Sequence, residues 1–162
     1  MPPAMVKTYR DLVYYEWAKA IARSAGIRDN FAFIIDRMTK LRAGEPRMSE
    51  IVREDRLMAV EGRKVCVYCG ASERLTWDHL IPRAHGGPDT ISNQVPACSS
   101  CNSSKGDRDA VEWFRSRIGV QIPRLVWGKY LKLSFELWKD EGRLDTLLTR
   151  EDKARWSGLR VE

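Results

Sequence analysis

Nowhere in the chain do apolar residues run to the ~20 in succession that a membrane-spanning helix needs, which excludes a helical integral membrane protein. The opening stretch, Met1-Pro2-Pro3-Ala4-Met5-Val6-Lys7, has no apolar core behind it, so no secretory signal is visible and a cytoplasmic address is the expectation. Internal repeats are lacking, and acidic residues are outnumbered, 22 against 28 Lys and Arg. Cysteine is scarce, at four residues. What is present suits a folded protein: 162 residues, 43% hydrophobic and 31% charged, enough for one domain with attachments and for a buried core. That composition rules out a mainly disordered chain.

The net charge of +6 is unevenly spread. Residues 1–60 carry 11 basic against 8 acidic groups, residues 111–162 the same, and the centre is balanced at 6 and 6. A basic excess on the flanks suits a polyanionic partner, although many basic proteins bind none and a solvated surface explains it more simply.

The four cysteines are arranged sharply. Cys66 and Cys69 form one Cys-x-x-Cys pair, Cys98 and Cys101 another, with 28 residues between the pairs. A disulfide framework does not fit a reducing compartment, and a redox Cys-x-x-Cys needs one pair rather than two. Two close pairs closing a loop are what a tetrahedral, structural zinc requires. Such a site has no open coordination position, so this metal holds the fold and does no chemistry.

Before the cysteines the chain reads as helices. Thr8 and Asp11 resemble a capping box opening a helix that Gly26 ends, and Asp29 can cap a second. In that second helix Phe31, Ile34, Ile35, Met38 and Leu41 fall at helical spacing. A third, less regular helix is expected over Ser49–Val60. From Arg63 to Gly106 short apolar runs separate Gly, Ser, Cys and Pro, with Leu75–Trp77 and Gln94–Ala97 expected as a hairpin. Cys98–Lys105 can be helical, and Asp107 can cap a further helix through Val111, Phe114 and Ile118. Trp127, Tyr130, Leu131, Phe135 and Trp138 mark one amphipathic helix, its aromatics expected in the core. From Glu151 the charged tail is expected to be loosely ordered. The expected division is an N-terminal helical segment (1–62), a core (63–118) and a C-terminal helix with a polar tail (119–162).

Inside the cysteine loop stand Trp77-Asp78-His79-Leu80-Ile81-Pro82-Arg83-Ala84-His85-Gly86-Gly87, then Asn93, then Cys98-Ser99-Ser100-Cys101-Asn102-Ser103-Ser104-Lys105-Gly106-Asp107. From Cys66 to about Asp107 the chain resembles the HNH (His-Me finger, ββα-metal) endonucleases of the four-cysteine type. The resemblance implies an α+β fold in which a zinc-pinned ββα-metal core is flanked by helices on both sides. It implies a divalent-metal-dependent endonuclease that cuts DNA, expected to be double-stranded, leaving 5′-phosphate and 3′-hydroxyl ends.

The residue chemistry agrees. Hydrolysis needs a base for the attacking water, and His79 can serve, since imidazole is the side chain suited to taking and giving protons near neutral pH. Asp78 and Asn102 offer hard oxygens suited to one Mg²⁺ or Mn²⁺; many family members have His at the second position. Neighbours on a strand face opposite ways, so Asp78 and His79 must lie at a strand end or a bulge to reach one phosphate. Asn93 matches the middle residue of the family's name and is expected to fix the loop carrying the His79 ring. Arg83, Lys105 and Arg108 are candidate phosphate contacts, and His85 could touch substrate. Asp78→Ala and His79→Ala are each expected to abolish cleavage while sparing the fold.

Two other readings fit the same residues. One is a zinc-containing nucleic-acid-binding module that does not cut; the other is a structural, protein-interaction domain on a zinc knuckle. Symmetric double-strand cutting would favour a homodimer. The target and the biological role are not written in the motif, and specificity is expected in the unmatched flanks.

Overall fold

The computed structural model describes residues 1–44 and 65–162. The expected helix over Ser49–Val60 lies outside these residues. The described chain divides into two compact units, one of 1–44 with 131–159, the other of 65–130 with 160–162. Among the described residues no helix is long and apolar enough to cross a membrane.

In the first unit, α1 (Tyr9–Ser24) begins at Thr8, whose side chain accepts the Asp11 N–H while Asp11 accepts the Thr8 N–H. This reciprocal cap satisfies two N–H groups that a helix start leaves open. Asp11 also binds Arg42 at 2.6 Å, at the end of α2 (Phe31–Arg42), and the two helices pack together. The cap of α2 is Asn30, one residue later than Asp29; its Oδ1 accepts the Phe33 N–H at 3.0 Å. Ile34, Met38 and Leu41 are buried, whereas Phe31 stays 55% exposed.

The C-terminal tail departs from expectation. It contains a short helix, Arg150–Arg155, held by a second capping box between Thr149 and Asp152. Trp156 is buried and lies 5.7 Å from the ring of Trp138. Local capping and one buried indole order a segment whose charge alone suggests disorder.

The second unit is built on a hairpin. β1 (Leu75–His79) pairs antiparallel with β2 (Gln94–Cys98), with His79 opposite Gln94 and Leu75 opposite Cys98. Both strands run one or two residues past their expected ends. α3 (Ser99–Lys105) follows directly, and contacts both strands. α4 (Ala110–Arg115) is capped by Asp109 rather than Asp107, its Oδ1 accepting the Val111 N–H at 2.8 Å. The other Asp109 oxygen accepts from Tyr130 at 2.9 Å. Tyr130 belongs to α5 (Arg124–Asp140), which starts in this unit and continues into the first. Its Trp127, Tyr130 and Leu131 are buried, so the aromatic stripe is core at these positions. Two strands, one crossing helix and four clustered cysteines make this unit an α+β core of ββα form.

Candidate functional site

The cysteines frame the site. Cys66 donates its N–H to Ala71 and its carbonyl accepts the Gly70 N–H at 2.8 Å, closing a knuckle. Gly70 sits at φ +79°, a left-handed turn that favours glycine. Across the hairpin, Cys98 ends β2 and caps α3, its Sγ accepting the Cys101 N–H at 3.4 Å. That bond holds the Cys98 thiol down to about 7, while burial pushes Cys101 up.

The four sulfurs lie within 4.8 Å of one another. Cys69 and Cys98 are 3.7 Å apart. A disulfide spans ~2.05 Å, whereas zinc bonds of ~2.3 Å arranged tetrahedrally space sulfurs by about 3.8 Å. The donor set and spacing therefore fit a structural zinc. Cys66, Cys98 and Cys101 are buried and Cys69 is exposed.

β1 ends at His79, so Asp78 and His79 point to opposite faces where the strand gives out. Asp78 is 5% exposed, and each of its carboxylate oxygens accepts a hydrogen bond. Its Oδ2 accepts the Tyr68 hydroxyl at 2.6 Å and its Oδ1 accepts the Lys105 ammonium at 3.2 Å. Burial, reinforced by the Asp78 charge, pushes Tyr68 well above its ordinary range, which keeps the phenol a proton donor. Tyr68 is held edge-on to Trp113, ring centres 4.9 Å apart.

Lys105, expected at a phosphate, is 1% exposed. Besides Asp78 its ammonium donates to the His79 carbonyl at 2.7 Å. The short α3 thus contributes Cys101 to the sulfur cluster and Lys105 to the end of β1. A buried ion pair of this kind is costly to break from one side only.

On the other face, His79 Nε2 lies 2.9 Å from Asp89 Oδ1. Gln94, opposite His79 in the hairpin, donates its amide to the same oxygen at 3.0 Å. Arg83 Nη1 stands 3.6 Å from Asp89 Oδ2. The His79 contact and then the Arg83 charge hold the Asp89 carboxyl below the usual carboxylate range.

The loop between is clamped by Asn93, which is wholly buried. Its Oδ1 accepts the Ile81 N–H, and its Nδ2 donates to the carbonyls of Ile81 and Pro88 at 2.8 and 2.9 Å. Its backbone carbonyl accepts the Leu80 N–H. Gly87 lies inside this clamp, where an added Cβ would fall 1.9 Å from the Ile81 carbonyl oxygen and 2.8 Å from Asn93 Nδ2. Gly87→Ala must move backbone and is expected to cost about 1–3 kcal/mol, read as a lower denaturant midpoint.

A cleft of about 340 Å³ opens at the end of β1, lined by Asp78, His79, Arg83, Asn102 and Lys105 among others. Trp77, 48% exposed, is also part of the lining. Two expected contacts lie elsewhere. His85 is exposed outside the cleft lining. Arg108 turns back to the end of α3, donating to the Ser104 and Lys105 carbonyls and to Ser116. Reading the sequence missed Tyr68 and Asp89. Tyr68 is inconspicuous within a Cys-x-x-Cys pair, and only the nearness of Asp89 to the Gly86-Gly87 turn hints at it.

The family model for HNH endonucleases matches residues 66–108. Among curated proteins, the CRISPR-associated endonuclease Cas9 of Corynebacterium diphtheriae is 34% identical over 67 residues, covering 38% of this chain and 6% of that protein. The SPbeta prophage-derived YoqL of Bacillus subtilis, named among HNH endonucleases, is 56% identical over 32 residues, 20% of this chain and 14% of its own length. The chain therefore spans a small part of either relative. No solved structure matches it. The match covers both cysteine pairs, the hairpin and the cleft residues described above: residues 66–108 match the HNH endonuclease family, and the four clustered cysteines fit its four-cysteine form.

Proposed function

We propose that this protein is an endonuclease that hydrolyses DNA phosphodiester bonds, with His79 as general base and one Mg²⁺ or Mn²⁺ held by Asp78 and Asn102. What carries the reading is that these three side chains line one cleft at the end of β1. A carboxylate and an amide supply oxygens of the hardness that such a cation prefers. Bound there, the ion supplies positive charge for the phosphoryl oxygens and the departing oxygen. His79 takes a proton from water as the water oxygen bonds to phosphorus. The bond to the 3′ oxygen breaks and that oxygen takes a proton from a solvent water, giving 5′-phosphate and 3′-hydroxyl ends. Arg83, 69% exposed at its side chain, is available to a backbone phosphate at the cleft. Lys105 acts from within, holding Asp78. The basic flanks supply attraction for a polyanion and a place for target preference.

One observation favours the reading without cleavage: both Asp78 oxygens already bear hydrogen bonds from Tyr68 and Lys105. Each oxygen has a second lone pair, so a cation is still accommodated. Supercoiled plasmid incubated with the protein in Mg²⁺ or in EDTA decides between them. Nicked or linear product in Mg²⁺ alone is expected. Salt-sensitive DNA binding with no product under either condition would leave the binding module. Linear product without accumulated nicks would point to two copies acting together.

A further inference from the structure

The contacts around the His79 ring pose a question that the base assignment leaves open: which nitrogen takes the proton. Nε2 lies 2.9 Å from Asp89 Oδ1, and that oxygen also receives the Gln94 amide at 3.0 Å. An ionised carboxylate only accepts hydrogen bonds, so the 2.9 Å contact calls for a proton on Nε2; the Gln94 amide nitrogen is also 3.4 Å from Nε2, but its shorter contact, 3.0 Å, is with the carboxylate. Nδ1 is then the nitrogen with the free lone pair.

We propose that Asp89 is the positioning residue of this site, fixing His79 as the Nε2–H tautomer so that Nδ1 faces the attacking water. The inference rests on the endonuclease reading for its function, but the geometry stands apart from it. Asp89 is itself held in place. Asn93 Nδ2 binds the carbonyl of Pro88, the residue before it, and Gly87 packs against Ile81 and Asn93 with no room for a side chain. Gln94 faces His79 across the hairpin and restrains the same carboxylate. Arg83 stands 3.6 Å from Oδ2, the oxygen that His79 does not contact. When Nδ1 accepts a proton from water, the ring becomes an imidazolium with N–H on both nitrogens, and the Asp89 charge lies against it. The same contact thus selects the tautomer beforehand and steadies the charge that forms.

Histidine occurs only twice in the chain, which makes the ring directly observable. Full-length, zinc-loaded protein carrying ¹⁵N-histidine is examined by long-range proton–nitrogen correlation at neutral pH, with His79→Ala used to assign the signals. The neutral His79 ring of the wild type is expected to carry its proton on Nε2. Asp89→Ala is expected to release it into a mixture of tautomers, with His85 unchanged. On DNA, Asp89→Ala should lower kcat by about 10–100-fold with KM nearly unchanged, the usual scale for a residue that orients another. Melting temperature should hold, since Asp89 is more than half exposed.

A wild-type ring protonated on Nδ1, or an Asp89→Ala ring still locked on Nε2, overturns the proposal. So does a variant that keeps wild-type kcat. If the wild type binds DNA but cuts none, the endonuclease reading fails by itself, and the tautomer comparison still judges the hold of Asp89 on the ring.

Discussion

Replacing His79 with alanine is expected to slow plasmid cleavage by roughly 10²–10⁴-fold, the worth of a positioned general base. DNA affinity and the unfolding midpoint should stay close to wild type. The expectation of an intact fold comes from the surroundings. The His79 side chain is 25% exposed and, among the described residues, its ring is hydrogen-bonded to Asp89 and Gln94, both reachable by water. Truncation leaves no buried group without a partner. The backbone carbonyl that Lys105 binds is retained whatever side chain stands at this position. Single-turnover rates with saturating Mg²⁺, compared with binding in EDTA, separate chemistry from affinity. A variant that cuts at the wild-type rate would remove His79 from the reaction.

The companion substitution, Asp78→Ala, is expected to cost stability as well as activity, because of the contacts the carboxylate makes. Asp78→Ala strands the Lys105 ammonium at 1% exposure with one carbonyl partner left, and it deprives Tyr68 of its acceptor. Removing one member of a buried ion pair costs about 3–5 kcal/mol, a large share of the ~5–15 kcal/mol that stabilises an ordinary domain. Loss of cleavage in Asp78→Ala therefore mixes chemistry with folding, and His79→Ala is the cleaner probe.

Cys98→Ala, or removal of metal by a strong chelator, is expected to unfold the unit built on residues 65–130. Apparent binding energies of structural zinc run to ~10–16 kcal/mol at neutral pH, as much as the unit's whole margin of stability, and in such sites binding energy is folding energy. The hairpin has only two strands and cannot stand alone in water. Cys98 is also the residue whose sulfur caps α3, so its loss frees the Cys101 N–H together with one metal ligand. Circular dichroism and one zinc per chain by elemental analysis should fall together. Equal melting of Cys98→Ala and wild type would contradict a structural role for the metal.

Much of this arrangement could be read from the residues because it is local. The Thr8–Asp11 box, the two cysteine knuckles, both strands and α3 follow from spacings of a few positions. The caps slipped by one or two residues, to Asn30 and Asp109, because Asp29 and Asp107 offer the same side-chain chemistry and only backbone angles choose between them. The Arg150–Arg155 helix was hidden because Thr149 and Asp152 sit in a run of charge that suggests disorder.

The cleft was legible in its motif residues and not in their supports. Lys105 reads as a surface cation near a phosphate; its burial depends on Asp78, 27 positions away. Tyr68 and Asp89 belong to no periodic pattern, and each reaches a motif residue ten positions on or back by a hydrogen bond. Such pairings are made by the hairpin bringing its ends together, and composition carries no trace of them.

Cys98 concentrates three duties in one side chain: it finishes a strand, starts a helix and offers a sulfur. Its neighbour in the cluster, Cys69, is the sulfur that solvent reaches. An oxidant entering there would loosen the corner from which Asn102 and Lys105 project, and the cleft they line would lose its shape without any reagent having entered it.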